Sequence, residues 1–142
     1  MEITANAEQE VLNERSVIFT NTPIPNNQKC IKHDDDSALI YLRGLTKNQC
    51  KARFLVEFSG NIALPTTGTA PDEISLSLAL ADEAIPHTMT VATPTTTESY
   101  FNVSTMTYID IPAGFTTTLT VKNTSGVTIT VRNATLIVTR VA

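Results

Sequence analysis

The chain has 142 residues, a formal net charge of −4, 42% hydrophobic, 17% charged and 6% aromatic side chains, and no Trp. That length is one domain's worth of polymer; the apolar fraction excludes a disordered chain, and 12 Pro and Gly residues are too few for a collagen-like one. An acidic balance argues against a nucleic-acid partner, no apolar run approaches the roughly 18 residues of a membrane span, and MEITANAEQE has neither the basic nor the apolar region of a secretion signal.

Residues 1–14 are polar and lack a core pattern, so they are expected to form an attachment arm or to fray, ahead of a single domain over 15–142. From there the period is two. Ala52, Phe54, Val56 and Phe58 alternate with Lys51, Arg53, Leu55, Glu57 and Ser59, and Ile74, Leu76, Leu78 and Leu80 alternate with Ser75, Ser77, Ala79 and Ala81. Phe101, Val103, Ile109 and Ile111 share one parity, as do Phe115, Leu119 and Val121. With 24 threonines adding β propensity, strands are predicted near 15–20, 30–33, 38–42, 50–60, 73–81, 84–91, 99–111, 115–123 and 127–140.

Turn chemistry separates them. NTPIPNNQ (21–28) holds two prolines that cannot donate to a ladder, PTTGTAP (65–71) is bounded by prolines, Pro112–Gly114 joins two strands, and NTSG (123–126) reads as a hairpin turn between the last two. In the final strand Val127, Ile129 and Val131 are odd-numbered while Ala134, Leu136 and Val138 are even. Either a bulge at Asn133 absorbs a residue, or the strand is buried on both faces and needs a neighbour from another subunit. The fold class that follows is all-β, an antiparallel two-sheet sandwich of the jelly-roll kind.

Charge is unevenly placed: residues 84–142 hold only Glu98, Asp110, Lys122, Arg132 and Arg140. Either threonine hydroxyls keep that half soluble or another subunit covers part of it. Cys30 and Cys50 read as reduced, small apolar residues, with a disulfide as the alternative if the assembled protein ends outside a cell. His33 beside Asp34, Asp35 and Asp36 is the densest polar cluster; it would suit a hard cation such as Ca²⁺, but it lacks the glycine and distal Glu of an EF-hand loop and reads as a solvated turn.

His87 has no nucleophile in a recognisable setting, and the pairs Asp72/Glu73 and Asp82/Glu83 flank a strand without an aromatic sugar platform nearby. The sequons at Asn102, Asn123 and Asn133 read as by-products of a Thr/Asn-rich composition. No catalytic constellation and no cofactor motif results, so the expectation is a non-enzyme.

The segments CIKHDDDSALIYLRG (30–44), QCKARFLVEFSGNIALP (49–65), ISLSLALADEAIP (74–86), YFNVSTMTYIDIP (100–112), VKNTSG (121–126) and VRNATLIVTRVA (131–142) resemble a family of short proteins encoded by gut bacteria and their phages or prophages. These are similar to the tumour necrosis factor and complement globular-head type of jelly roll. The resemblance implies a ten-stranded, two-sheet domain that assembles as a homotrimer, in modules found as phage head fibres, capsid decorations, fibre tips and spore-surface filaments. Where many members carry a Cys pair this chain has Phe115-Thr116, so no disulfide scheme carries over.

The expected role is therefore a trimeric structural component of a phage or prophage virion, made in the bacterial host cytoplasm, with capsid or other virion proteins as partners. Its axis-facing residues are expected to be Phe101, Val103, Tyr108, Leu119, Leu136 and Val138. The alternative is a module that binds a receptor or bacterial surface glycans through loops at 21–28, 65–72 and 92–98.

Overall fold

A computed structural model describes residues 1–25, 29–70 and 72–142 of the chain. Its strands are β1 (Glu2–Ala5), β2 (Gln9–Val11), β3 (Asn21–Ile24), β4 (Ile31–His33), β5 (Ile40–Arg43), β6 (Lys51–Ala63), β7 (Ile74–Leu80), β8 (Glu83–Ala84), β9 (Thr90–Ala92), β10 (Phe101–Pro112), β11 (Thr116–Asn123) and β12 (Ile129–Arg140). All the strand pairings described are antiparallel, in two sheets. The first runs β10-β6-β12-β1-β3, with β2 also on β12; the second runs β4-β5-β11-β7-β8, with β9 also on β7. Alternation does the folding work: Phe54, Val56, Phe58, Leu136 and Val138 on one sheet meet Ile40, Leu42, Leu76, Leu78 and Leu119 on the other in one dry core.

The parity slip in β12 is resolved by a bulge. Its register against β6 shifts between Arg132 and Thr135, and Asn133 adopts φ 52°. One residue is absorbed there, so Ile129 and Val131 before it and Ala134, Leu136 and Val138 after it all reach the core of their own chain.

Five expectations need correction. Residues 1–14 are not an arm: β1 lies between β12 and β3, with Ile3 and Ala5 in the core, and Val11 follows on β2. The 21–28 segment begins as the edge strand β3, where Pro23 is tolerated because an edge leaves donors unpaired; Asn26, Asn27 and Gln28 lie outside the described residues, as does Pro71 of the 65–71 loop. The strand predicted at 15–20 is only two isolated bridges, Ser16 to Lys122 and Phe19 to Ser37, although Val17 and Phe19 are buried. The strand predicted at 84–91 is broken by a 3-10 turn at Pro86–Thr88, since Pro86 cannot donate to a ladder.

The 123–126 link is a corner and not a hairpin, because β11 and β12 belong to different sheets. Buried Asn123 builds that corner: its Nδ2 donates to the Val11 and Val127 carbonyls at 2.9 and 2.8 Å, and its Oδ1 accepts from the Ser125 N–H at 2.9 Å. With its side chain so enclosed, Asn123 is no glycosylation acceptor. Beside it, Lys122 Nζ donates to the Asp82 carbonyl at 2.9 Å and pairs with Glu14 at 3.0 Å, which ties the 14–17 segment to the β7–β8 turn. The hydrogen bond to Glu14, followed by the nearby Asp82 charge, raises the Lys122 pKa and keeps it charged.

Replacing Asn123 with Ala strands one buried carbonyl, of Val11, and leaves the part-buried Val127 carbonyl and Ser125 N–H without this partner. Each group left unsatisfied costs about 1–3 kcal/mol. Chemical denaturation is expected to show a loss of at least that size for Asn123→Ala, against a near-neutral result for Asn102→Ala on the exposed face.

Candidate assembly surface

The sheet that contains β6, β10 and β12 turns one face to the core and the other outward. Register places outward side chains in rows across the strands. One row is Met106, Glu57, Ile137 and Glu2, the next is Ser104, Ser59, Thr135 and Thr4, and a third is Tyr108, Leu55 and Thr139. Met106 and Tyr108 are each 62% exposed in mid-strand, and Leu55 and Ile137 are half-buried beside them. A shallow depression of about 530 Å³ lies among Glu57, Ser59, Ser104, Met106, Thr135 and Ile137. Glu57, between Met106 and Ile137, and Glu2 at the end of that row are the charged groups of these rows, and the other side chains are apolar or hydroxyl-bearing.

Charge gathers at the two borders. At one, Asp110 accepts from Arg53 Nε at 2.8 Å and Lys51 Nζ at 2.9 Å, while the Arg53 guanidinium sits 5.7 Å from the Tyr108 ring centre. The Arg53 hydrogen bond, then that of Lys51, holds the Asp110 carboxyl well below the usual carboxylate range. At the other border the Arg132 guanidinium lies 3.7 Å over the Tyr100 ring, and the Tyr100 hydroxyl donates to Glu8. Burial, then this hydrogen bond, pushes the Tyr100 hydroxyl pKa up.

β10 is also an edge strand of 12 residues. Its interior has no Lys or Pro to deter pairing, in contrast to β3 with Pro23 and to the short edges β4, β8 and β9.

The structure divides the six expected axis residues. Val103, Leu119, Leu136 and Val138 are core residues of the single chain, so they are withdrawn from any surface role. Phe101 and Tyr108 are exposed, yet they differ in parity along β10: Phe101 sits at the end of the inward row and only Tyr108 belongs to the outward one. Met106, Leu55 and Ile137 were overlooked. Their signal was present, in the even positions of β10, the odd positions of β6, and the odd positions of β12 beyond Asn133.

The remaining candidates serve the fold. His33 Nδ1 lies 3.1 Å from Thr22 Oγ1 and its Nε2 2.9 Å from the Ser37 carbonyl, so both ring nitrogens have protein partners. Asp34, Asp35 and Asp36 are exposed, and among the described residues no group of three or more His, Cys, Asp or Glu is placed to hold a metal. His87 Nε2 lies 2.9 Å from Thr107 Oγ1. Cys30 is buried, Cys50 is exposed, and neither forms a disulfide.

Among solved structures, the chain is similar to an Eiger TNF from S. frugiperda, with a TM-score of 0.70 at 14% identity over 99% of this chain and 90% of that one. The fold is a tumour-necrosis-factor-like jelly roll. Weaker likenesses are to the CBM22-1 xylan-binding domain of Paenibacillus barcinonensis Xyn10C (TM-score 0.40, 8% identity, 100% of this chain and 95% of that one) and to the Podospora anserina GH26-CBM35 mannanase (0.33, 14%, 96% and 28%); neither bears on function. No protein-family model and no curated protein matches the chain.

Because the Asp110 pKa is lower folded than unfolded, the stability it contributes is present above its unfolded value and lost as pH falls through the folded one. The urea midpoint of Asp110→Asn is expected to lie slightly below that of the parent at neutral pH. The gap should narrow as pH drops below about 4.

Proposed function

We propose that this chain is a non-enzymatic building block whose copies associate side by side as a homotrimer, and that it serves as a head fibre or capsid decoration of a phage or prophage virion. The observation that carries self-association is the outward face of β10, β6 and β12, where Met106 and Tyr108 stand exposed beside Leu55 and Ile137 on a sheet that ends in the edge strand β10. Covering that face with a second copy removes apolar area from water at roughly 25 cal/mol per Å². It also shields the edge that would otherwise template pairing at random. The virion assignment draws on the sequence segments that resemble phage and prophage proteins.

A non-enzymatic role agrees with how the reactive side chains are used. His33 spends both ring nitrogens on Thr22 and the Ser37 carbonyl, and His87 is bonded to Thr107 on an exposed surface. Glycan binding through the outer loops has less support. Tyr100, the aromatic residue at their margin, has the Arg132 guanidinium on its ring, whereas sugar recognition uses an open aromatic face.

Light scattering is expected to give about 46 kDa, three times the 15.4 kDa chain. Met106→Glu/Tyr108→Glu should give 15.4 kDa with an unchanged circular dichroism spectrum, since both positions are exposed. A parent chain that stays at 15.4 kDa across dilution overturns self-association. Mass spectrometry of particles from an induced producing strain addresses the virion role separately; absence of the chain from them removes that role alone.

A further inference from the structure

The strands run between two loop-bearing ends of opposite charge. At the end where β6 begins and β10 and β12 finish stand Arg43, Lys47, Lys51, Arg53 and Arg140, with Asp110 among them and Asp82 and Glu83 at the nearby β7–β8 turn. Backbone bonds weld this end together: Gly44 N–H donates to the Phe115 carbonyl at 2.8 Å, and Ala113 N–H to the Cys50 carbonyl at 2.9 Å. A Cβ on Gly44 would fall 2.1 Å from the Pro112 oxygen, so the two loops are in close contact there. Between them lies a depression of about 730 Å³ lined by Leu45, Lys47, Gly114 and Arg140 among others. Leu45, Phe115 and Val141 are exposed around this end.

The opposite end carries Glu8, Glu10, Asp72, Glu73 and Glu98. Glu8, Glu10 and Glu98 rim a cleft of about 250 Å³ with Pro65, Thr66 and Thr130, and Asp72 and Glu73 immediately precede β7 at the same end. Of the nearby cations, Arg132 is engaged with the Tyr100 ring, and exposed Arg15 stands by Glu14 where β11 ends. Leu12, exposed just beyond β2, supplies apolar surface there.

We infer that copies of this chain stack end to end, the basic end of one docking on the acidic end of the next. At about 3.3 Å per residue the 12 residues of β10 hold the two ends roughly 40 Å apart. Screening acts over about 8 Å at physiological ionic strength, so the ends cannot neutralise each other within one chain. Each is left with an excess of one sign, and each is the complement of the other. Contact between unlike surfaces set at opposite ends of the strands leaves one of each free on the outer copies, so it propagates as a polar stack. This contact uses the loops beyond the centre of the side-by-side face, and holds whether or not that centre is occupied.

Sedimentation velocity on the full chain tests it. The sedimentation coefficient should rise with concentration at about 0.01 M salt, and return at about 1 M to that of the unstacked particle. Lys47→Glu/Lys51→Glu and Glu10→Lys/Glu73→Lys change exposed positions at opposite ends. Each alone is expected to weaken stacking by about tenfold or more. Mixed in equal amounts they should associate again, because the unaltered acidic end of the first variant meets the unaltered basic end of the second.

Stacking that ignores salt, variants that stack as well as the parent, or a mixture that stays unassociated overturns the inference. So does a basic end that binds heparin while the copies remain apart. The mass measured at high salt reports the side-by-side contact, so failure of one contact is distinguishable from failure of the other.

Discussion

β12 stands between β6 and β1 and contributes to the core along its whole length, yet its apolar residues change parity half-way. A strand without a bulge would send either Ile129 and Val131 or Leu136 and Val138 outward. The left-handed backbone at Asn133 removes the conflict, and Asn is among the few residues that tolerate it. On neighbouring β6, Gly60 faces the same irregular zone: a Cβ there would meet the Phe58 ring at 2.9 Å and the Ala134 Cα at 3.5 Å. Bulge and glycine together let the large Phe58 ring stay inside. They also decide what faces out, since Thr135 and Ile137 reach the exposed face only because one residue is absorbed upstream.

What could be read without coordinates follows from how local each signal is. The alternations in β6 and β7 run for seven residues or more and name their inward faces directly. The parity change at Asn133 was equally plain. β1 was not, because Ile3-Thr4-Ala5 is too short a pattern to separate from a tail, and its partners Leu136 and Ala134 lie at the far end of the chain. The NTSG link was legible as a turn but not as a corner, since four polar residues look alike whether the chain reverses within a sheet or crosses between two. The assembly face was half legible. Phe101 and Val103 cannot share a face with Tyr108 on one regular strand, and applying that parity rule strictly leads to Met106.

The two kinds of contact make different use of charge. Across the broad face, ion pairs would have to be desolvated on contact, and the middle rows accordingly offer Met, Leu, Ile, Ser and Thr, with Glu57 and Glu2 as the carboxylates. At the ends, exposed loops can keep water around Lys47 or Glu10, so opposite charges steer approach without that penalty. Copies gathered side by side about an axis along the strands would point all their basic ends one way. Lateral assembly would then multiply the charge at each end, and the two contacts would reinforce each other.

Threonine and serine give the broad face a property that neither leucine nor lysine would supply. Before assembly, the hydroxyls of Ser59, Ser104 and Thr135 keep a weakly charged sheet wetted; after it, the Thr135 methyl still packs. Each hydroxyl that loses water without gaining a partner costs about 1–3 kcal/mol. A partner that covers the face out of register therefore pays for several unmet hydroxyls at once, whereas one in register satisfies them together. Apolar area alone would favour any greasy contact. The rows of hydroxyls beside Met106 and Ile137 would restrict association through this face to one geometry, as the proposed building block requires if its copies are to form a defined particle.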